Sequence, residues 1–489
     1  MLKQLNDDII FLILKELKDD NKTIYSCLFV NRIWCKMTVP ILWNDPVKQF
    51  RTYPSKNVYI ILFNVLFLHL SEKSRNNLKN QGIDLFIEAY QKPLFNYISY
   101  WKHLNLYFLE SMMMNVDKNI EKSKTSIVRN ELLNLFDINT KFSSLSIQKL
   151  PCSQILGNEY CFSKLQYFFC NVDINRNILE KLAEMNTSVE KLGFRIYNTS
   201  NNPGIIRLIE VQKNLKEVNF FSEFITGLNE SYRKALEESL IKCSDTIQHL
   251  KISWIPLTKF LSNLVNLVSL EIKAFNDTNW DHLIGVSLPF LKFLKVVSVP
   301  SELITSLVES TRGFLVEIIV IFQGIDGERL LQAIYQNCPN LNYLTFSLYD
   351  KDILSFENLL INCQFLAGLK VIGMYDYRYK SEFNWNKLFE ILTRSAPVNL
   401  FRFKFSNNRN RINSYNRNNI TKSLSLFFNN WKERHPMLLQ VMWVQQNQQF
   451  KDLIQLYKSK GIIKEYISSY GLEEFEWIQL KNHIPFYDF

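Results

Sequence analysis

A short hydrophobic pattern, apolar-x-x-apolar-x-apolar, recurs at nearly constant intervals along this chain of 489 residues. Because 47% of the residues are hydrophobic, a single match carries no information. Successive matches, however, begin 24, 26, 32, 20, 24, 24, 26 and 25 residues apart, and chance does not explain that spacing. Weaker copies begin at Trp101, Phe142 and Leu400. The regular copies begin at Leu165, Val189, Leu215, Ile247, Leu267, Leu291, Leu315, Leu341 and Leu366.

The segments between these matches carry helical spacing instead. Apolar residues at i, i+3, i+4 and i+7 share one helix face and predict a helix after several of the strands. Cys338 and Cys363 each close such a set, and Cys243 closes a similar but less perfect one with Leu236 and Leu240, so the three cysteines are expected to pack inward rather than to bind a metal. The regular sets are Leu331, Ile334, Tyr335 and Cys338; Phe356, Leu359, Leu360 and Cys363; and Trp385, Leu388, Phe389 and Leu392.

A strand followed by a helix, repeated every 20–29 residues, is typical of a leucine-rich-repeat solenoid. One such unit cannot cover its own apolar face, so neighbouring units must stack into a continuous core. Parallel strands are expected to line a concave face, where the variable x positions would contact a ligand. After Leu400 the pattern weakens, but Pro436–Trp443 and Ile462–Ile467 predict further strands, with a helix near 448–459 between them.

The first 45 residues predict a separate helical module. Asn6 is a good N-cap, Asp7 and Asp8 favour the first helical turn, and Leu5 and Ile10 have the spacing of a hydrophobic staple. The run of six apolar residues from 9 to 14 covers more than one helix face, so this helix needs burial on two sides. Thr23 is expected to cap a second helix. Neighbouring helices can bury one side, and either the repeat region or another protein must cover the other.

The same 45 residues carry an ordered set of short motifs. These are the run Leu5-Asn6-Asp7-Asp8-Ile9, then Ile13 and Leu17, then Cys27-Leu28-Phe29-Val30-Asn31-Arg32-Ile33-Trp34, and finally Leu42-Trp43. The arrangement resembles an F-box, with its Leu-Pro-x-Glu-Ile, Val-Cys-Arg-x-Trp and closing Leu-Trp. Asn6 stands where the family usually has Pro, and Asn31 where it often has Cys. The resemblance implies adaptor-binding residues Leu5, Asn6, Ile9, Ile13, Leu17, Leu28, Val30 and Trp34.

The expected fold class is therefore α/β, a three-helix F-box followed by an irregular leucine-rich-repeat-like solenoid of horseshoe form. The expected domains are residues 1–45 for the F-box, 46–140 for a helical connection with a degenerate first repeat, 141–405 for the repeats and 406–489 for a basic loop and cap. The segment Asn337-Cys338-Pro339-Asn340-Leu341 is similar to the cysteine-containing repeats that often accompany an F-box.

The resemblance also implies a function and partners. A chain of this kind is the substrate-recognition subunit of a cullin–RING ubiquitin ligase of the SCF type. It binds a Skp-type adaptor, and through it a cullin, and holds an unidentified protein target near the ubiquitin-loaded enzyme. The alternative is an F-box scaffold that does not lead to degradation.

A basic stretch follows the regular repeats. Between Arg402 and Arg434 eight basic residues face a single acid, Glu433, which is +7 in 33 residues. The Asn/Arg-rich centre, 406–419, is expected to be a solvated loop. Arg409, Arg411 and Arg417 could instead contact an acidic or phosphorylated target, since arginine pairs well with carboxylates and phosphates. Nucleic-acid binding is a weaker alternative, because 57 basic residues are set against 47 acidic ones and no recognised nucleic-acid motif is present.

Several other functions lack a supporting motif. The six histidines form no HExxH spacing, no glycine-rich phosphate loop is present, and the spacing of Cys152, Cys161 and Cys170 does not fit a zinc site. We therefore expect no catalytic activity, no cofactor and no metal. The apolar stretch Val58–Leu70 is shorter than the ~20 residues of a membrane span, and the N-terminus lacks the basic region of a secretory signal. The expected location is the cytoplasm, the nucleus or both.

Overall fold

A computed structural model shows two compact units, and each is described by itself. The first comprises Met1–Glu223 and Gly227–Tyr232, and the second comprises Phe224–Thr226 and Arg233–Phe489. The structure describes residues 6–18, 20–46, 56–83, 93–116, 124–136, 140–148, 161–197, 201–222, 228–274, 279–321, 327–376, 381–408, 414–431, 433–442 and 448–467, with 21, 116 and 414–420 described by backbone alone.

Helices make up the N-terminal part of the chain and then alternate with strands. The helices are α1 Asp7–Glu16, α2 Asn21–Cys27, α3 Arg32–Asn44, α4 Lys56–Leu68, α5 Glu72–Asn80, α6 Tyr97–Tyr100, α7 Leu106–Val116, α8 Thr125–Leu133, α9 Arg176–Met185, α10 Pro203–Glu210, α11 Glu230–Ile241, α12 Ser301–Ser310, α13 Glu328–Asn337, α14 Ile353–Asn362, α15 Trp385–Ser395, α16 Ser414–Asn430 and α17 Gln448–Ser459.

The strands of each unit pair in parallel, each with the next one along the chain. In the first unit they are β1 His103–Asn105, β2 Ser144–Ile147, β3 Tyr167–Asn171, β4 Lys191–Ile196 and β5 Glu217–Ser222. In the second they are β6 His249–Ile252, β7 Ser269–Lys273, β8 Phe293–Val297, β9 Glu317–Ile321, β10 Tyr343–Leu348, β11 Gly368–Gly373, β12 Arg402–Asn407, β13 Met437–Val441 and β14 Ile463–Ile467. The α/β class is confirmed.

Every copy of the hydrophobic pattern coincides with a strand. In all nine regular copies, and in the weaker ones at Trp101, Phe142 and Leu400, the strand begins two residues after the first apolar position. The three apolar positions of each regular copy are at most 2% exposed, because they pack against the same positions of the neighbouring repeats. Within each strand, the x residues at the third and fifth positions of the pattern lie on the opposite face of the sheet, as the period of two requires.

The predicted helices are also present. The three regular sets lie on α13, α14 and α15, with Cys338 and Cys363 at the C-caps of the first two, and Cys243, Cys338 and Cys363 are buried as expected. Burial raises the pKa of the Cys338 thiol to about 12, with a further contribution from the nearby Cys363. The connection between β6 and β7 differs, since it is short, contains Pro256, and has a single turn of 3₁₀ helix at Phe260–Asn263.

The region after the regular repeats is more ordered than the sequence predicts. The loop expected over 406–419 is wrong from Ser414 onward, because α16 begins there, and β12 continues to Asn407. The predicted strands and helix near the C-terminus are found as β13, β14 and α17. The parallel ladders thus extend beyond 141–405, with β1 before that range and β13 and β14 after it.

Candidate functional site

The first three helices form a small hydrophobic core of their own. Ile10 and Leu14 of α1 pack with Ile24 and Cys27 of α2, and all four are at most 6% exposed. Partly buried side chains surround this cluster, chiefly from α3. These are Leu17, Ile33, Trp34, Met37, Ile41 and Leu42. The module therefore buries one side of α1 by itself.

Polar side chains begin each of these helices. Asn6 caps α1 by accepting from the backbone N–H of Asp8 at 3.5 Å, as predicted. The cap expected at Thr23 is wrong, because Asp20 accepts from the Thr23 N–H at 3.2 Å and from the Thr23 hydroxyl at 2.6 Å. An aspartate just before a helix is the stronger cap, since its ionised oxygens accept more readily. Asn31 caps α3 by accepting from Ile33 and Trp34 at 2.9 and 3.0 Å.

The other side of α1 lies open to solvent. Ile9 is 46% exposed, Leu12 is 59% exposed, and Ile13 is half-buried. Residues 9, 12 and 13 are neighbours on a helix surface, so they form a continuous apolar stripe. Phe11, 50% exposed, extends the apolar surface around the helix. Within the first unit, the described residues bury none of Ile9, Phe11 and Leu12 and cover Ile13 only in part.

The turn between α2 and α3 presents two further apolar side chains. Phe29 is 86% exposed and Val30 is 58% exposed. Large apolar side chains scattered singly on a surface are ordinary, but two in succession beside a helical module with an apolar stripe are not. The motif comparison did not single out Phe29, Leu12 or Phe11, and the unbroken apolar run from 9 to 14 was the available signal for the last two.

The predicted adaptor-binding residues divide into three groups in the structure. Ile9 and Val30 are exposed, and Asn6 is exposed as the helix cap. Leu17 and Trp34 instead pack against the internal core. Ile13 and Leu28 are half-buried, and Leu5 lies outside the described residues.

The helical module is joined to the strands of the first unit by direct contacts. The rings of Trp43 and Tyr97 lie 4.5 Å apart, and the Lys102 N–H donates to the Asn44 carbonyl at 2.9 Å. Lys102 is adjacent to β1, so the end of α3 is attached where the parallel ladder begins. The open side of α1 is thus held on an ordered support.

The sheet face opposite the hydrophobic core is called the outer strand face. In the first unit, side chains of the strands themselves cover this face. Tyr167, Phe169 and Asn219 are 8% exposed or less. The Lys191 ammonium lies 3.1 Å from the Glu217 carboxylate, which also accepts from Asn219 at 2.7 Å. Cross-strand pairs of this kind stabilise a sheet surface and fix the positions of its side chains.

Arg195 and Asn171 lie together on this face. Their backbones are register partners on β4 and β3. The Arg195 guanidinium lies over the rings of Phe169 and Tyr197, at 5.6 and 5.7 Å, and its Nη1 donates to the Tyr197 hydroxyl at 3.0 Å. Gly193, opposite Phe169 on β4, leaves the space in which the Phe169 ring also meets Phe221.

The outer strand face of the second unit carries a charged triad. Glu271 on β7 lies between Lys251 on β6 and Lys295 on β8, at 3.2 and 3.1 Å. Burial opposes ionisation of Glu271, yet the attraction of both lysines holds the pKa of its carboxyl below the ordinary value. Lys370 and Lys404 are register partners on β11 and β12, and they lie in the same register row as Lys295.

Arg402 crosses a neighbouring strand to reach a tyrosine. Its Nη1 donates to the Tyr343 hydroxyl at 2.6 Å, although Gly368 on β11 lies between them in register. Because glycine has no side chain, the guanidinium can lie over this position. The same cation lies 5.6 Å from the Tyr343 ring and 5.1 Å from the Phe401 ring.

Those basic residues between 402 and 434 whose side chains are described do not form a single exposed basic patch. Arg434 donates to the Ala396 and Thr393 carbonyls and lies 4.6 Å from the Trp431 ring, and burial lowers its pKa. Lys404 is 3% exposed. Arg409 and Arg411 lie outside the described residues, and Arg417 is described by its backbone in α16 alone. The prediction of an acidic-target contact by these three arginines therefore falls outside the described side chains.

Comparison with known proteins leaves the family open. No protein-family model matches this chain. No curated protein matches it either. In the described part of the chain no helix is both long and apolar enough to cross a bilayer. Within the same residues, no group of three or more His, Cys, Asp or Glu side chains is placed to hold a metal ion.

Proposed function

We propose that this chain is the substrate-recognition subunit of a cullin–RING ubiquitin ligase. In this proposal the module α1–α3 docks on a Skp-type adaptor, and the outer strand faces of the repeats hold a protein target. The observation that carries it is the open apolar stripe of α1, together with the F-box-like order of residues across the same three helices. In this proposal the chain links a target protein to the ligase and catalyses no reaction itself.

The geometry supports docking on energetic grounds. Full burial of an aliphatic or aromatic side chain stabilises a complex by roughly 1.5–3 kcal/mol before the costs of association. Ile9, Leu12, Phe29 and Val30 are all about half exposed or more, so each has area left to bury. Since Ile10 and Leu14 already form the internal core, the exposed set can be covered by a partner without unfolding the module.

A co-purification experiment tests the adaptor half of the proposal. The full chain carrying Ile9→Ala, Leu12→Ala and Val30→Ala should lose capture of a purified Skp-type adaptor. The matched control removes three exposed apolar side chains of the second unit, Leu354→Ala, Ile361→Ala and Val398→Ala, and should retain capture. Equal capture by the two triple variants would refute docking through this stripe.

A second experiment separates a degradation receptor from a non-degradative scaffold. Proteins that bind the full chain are identified by affinity purification, and their abundance is followed while cullin activation is inhibited. Targets of a degradation receptor should accumulate, and should do so less in cells expressing the triple variant of the module. Bound proteins whose abundance stays constant under inhibition would identify the scaffold instead.

A further inference from the structure

An apolar patch lies on the outer strand face of the second unit. It is made by Val297 on β8 and by Ile319 and Ile321 on β9, and we call it the β8–β9 patch. All three side chains are half-buried, so each keeps surface that faces solvent. Val297 and Ile321 are register partners on adjacent strands, which lie about 4.8 Å apart. Side chains at that spacing are neighbours, so the patch is continuous.

Lys295 borders this patch. It is two residues before Val297 on β8 and is the register partner of Ile319 on β9. It therefore shares the outer strand face with both, as the period of two requires. The Lys295 side chain is 40% exposed, and Phe293, on its other side along β8, is half-buried. An ammonium group that solvent reaches thus lies directly beside apolar surface.

The charge of this ammonium is balanced only in part. Lys251 and Lys295 contact the same oxygen of Glu271, at 3.2 and 3.1 Å, so one carboxylate serves two lysines. A lysine ammonium has three N–H donors, and the contact with Glu271 engages one of those of Lys295. Glu317 on β9 is 4% exposed and lies one register row away from Lys295. A carboxylate arriving from solvent therefore complements the charge of the triad.

The β8–β9 patch differs from the sheet surfaces with which it can be compared. Thr345 on β10, the register partner of Ile319, is polar and 9% exposed. In the first unit, Phe169 and Asn219 of the outer strand face are 5% and 8% exposed. A ligand meets closed side chains at those positions, whereas Lys295 and the patch present both charge and apolar area.

We propose that Lys295 and the β8–β9 patch bind an acidic segment of a protein target, in which a carboxylate and an aliphatic side chain are two residues apart. The carboxylate accepts a hydrogen bond from Lys295 Nζ, and the aliphatic side chain packs on the patch. In an extended segment, side chains two residues apart lie on one side and are about 6.6 Å apart. Lys295 and Val297 have the same spacing along β8, so the two strands of contact match.

This assignment names the class of target segment for the proposed function and rests on the target-binding half of it. It does not depend on adaptor docking, since the site lies on β8 and β9 and not on α1–α3. Capture of the adaptor is therefore measured in parallel with binding of acidic peptides. Adaptor capture without peptide binding would overturn this assignment alone, and peptide binding without adaptor capture would overturn the ligase proposal alone.

Selection from a library of random dodecapeptides, displayed on phage, tests the assignment with the immobilised full chain. Peptides with an acidic residue two positions from an aliphatic one should be enriched. The enrichment should be lost on Lys295→Gln. It should be retained on Lys451→Gln, which removes an exposed lysine of α17. Enriched peptides that lack acidic residues, or the same enrichment on Lys295→Gln, would overturn the assignment.

A second measurement keeps the test decisive if Lys295→Gln does not fold. The most enriched peptide is synthesised with a fluorescent label, and its Kd is measured by anisotropy. Glu271→Gln removes the carboxylate that competes for Lys295, so it should tighten binding. Lys295→Gln should weaken binding about fivefold, the size expected for one solvent-exposed ion pair. Weaker binding to Glu271→Gln than to the unmodified chain would contradict the proposed contact.

The apolar half of the site has its own variant. Ile319→Ser should weaken binding of the same peptide, because it removes apolar area from the patch. Ile361→Ser, at an exposed position of α14, should leave the Kd unchanged. An equal Kd for the two variants would show that the patch takes no part.

A labelled oligothymidine separates this site from a nucleic-acid surface. Phosphates would also suit an ammonium group, but the three aliphatic side chains of the patch offer no ring on which a base could stack. The oligonucleotide should therefore not compete with the peptide at equal ionic strength. Competition that depends on Lys295 would overturn the assignment in favour of nucleic acid.

Discussion

The carboxylate of Glu237 on α11 accepts a hydrogen bond from the indole nitrogen of Trp254 at 3.1 Å. Glu237 is fully buried and also accepts from the Leu257 N–H at 2.9 Å and the Thr258 hydroxyl at 2.7 Å. Three donors of the segment that follows β6 thus converge on one side chain. This arrangement holds a connection that has no α-helix of its own.

Replacing Glu237 should loosen that connection. Glu237→Ala leaves three donors without their acceptor, and we expect a loss of about 3 kcal/mol in the free energy of unfolding. Amide hydrogen exchange at Leu257 should accelerate, since its N–H loses its partner. Glu238→Ala, which changes an exposed glutamate of the same helix, should stay within about 0.5 kcal/mol. Unchanged protection of the Leu257 amide would contradict this role.

Asparagine side chains join successive repeats at the entrance to the strands. Asn340 donates to the Gly313 carbonyl at 3.1 Å, Asn266 donates to Asp245 at 3.0 Å, and Asn399 donates to Gln364 at 3.4 Å. In each case the asparagine precedes the first apolar position of its own repeat, and the carbonyl lies two residues before that position in the preceding repeat.

Asn340→Ala should therefore cost about 1 kcal/mol, the usual net value of one hydrogen bond, because a link between repeats is lost. Asn362→Ala is the matched control, since its amide donates to Asn358 within the same helix. Chemical denaturation of the full chain measures both. If Asn362→Ala lowers the free energy of unfolding as much as Asn340→Ala does, a hydrogen bond between repeats contributes no more than one within a helix.

The lysines beside Glu271 predict a pH-dependent contribution to stability. The folded-state pKa of this carboxyl lies below its ordinary value of 4.5, so its stabilisation is complete above that value and disappears as the pH falls through the lower folded-state pKa. Glu271→Gln should cost about 1 kcal/mol at neutral pH, and the difference from the unmodified chain should vanish in acid. Glu309→Gln, at an exposed position of α12, should give a smaller difference at neutral pH. A cost for Glu271→Gln that is the same at acidic and neutral pH would rule out the ionic origin.

Within α1, the side chain that stabilises the fold and the side chain proposed to bind the adaptor should be different ones. Leu14 is fully buried, so Leu14→Ala should destabilise the helical module by about 2–5 kcal/mol. Leu12, on the open side, should change stability by less than about 0.5 kcal/mol when replaced by Ala. Amide hydrogen exchange across residues 7–44 of the full chain would record the difference. Equal acceleration of exchange by the two changes would mean that Leu12 is packed in solution.

Much of the fold could be predicted because its determinants are local. Alternation of apolar residues along a strand is a property of a few consecutive positions, and the recurring pattern located the strands of both units, as at Ser269, two residues after Leu267. Helical spacing located α13–α15 in the same way. The capping of α1 by Asn6 followed from one polar residue before an apolar run.

Other features needed the assembled structure. Six apolar residues in succession predict that α1 is buried on two sides. Packing against α2 and α3 determines which side is buried within the module, and it buries Ile10 and Leu14 but leaves Ile9 and Leu12 exposed. Likewise, nothing in a single strand says that Asn171 lies beside Arg195, since that depends on the register of β3 with β4. Local periodicity determines which elements form, whereas the side chains that meet, or stay uncovered, depend on residues brought together from distant parts of the chain.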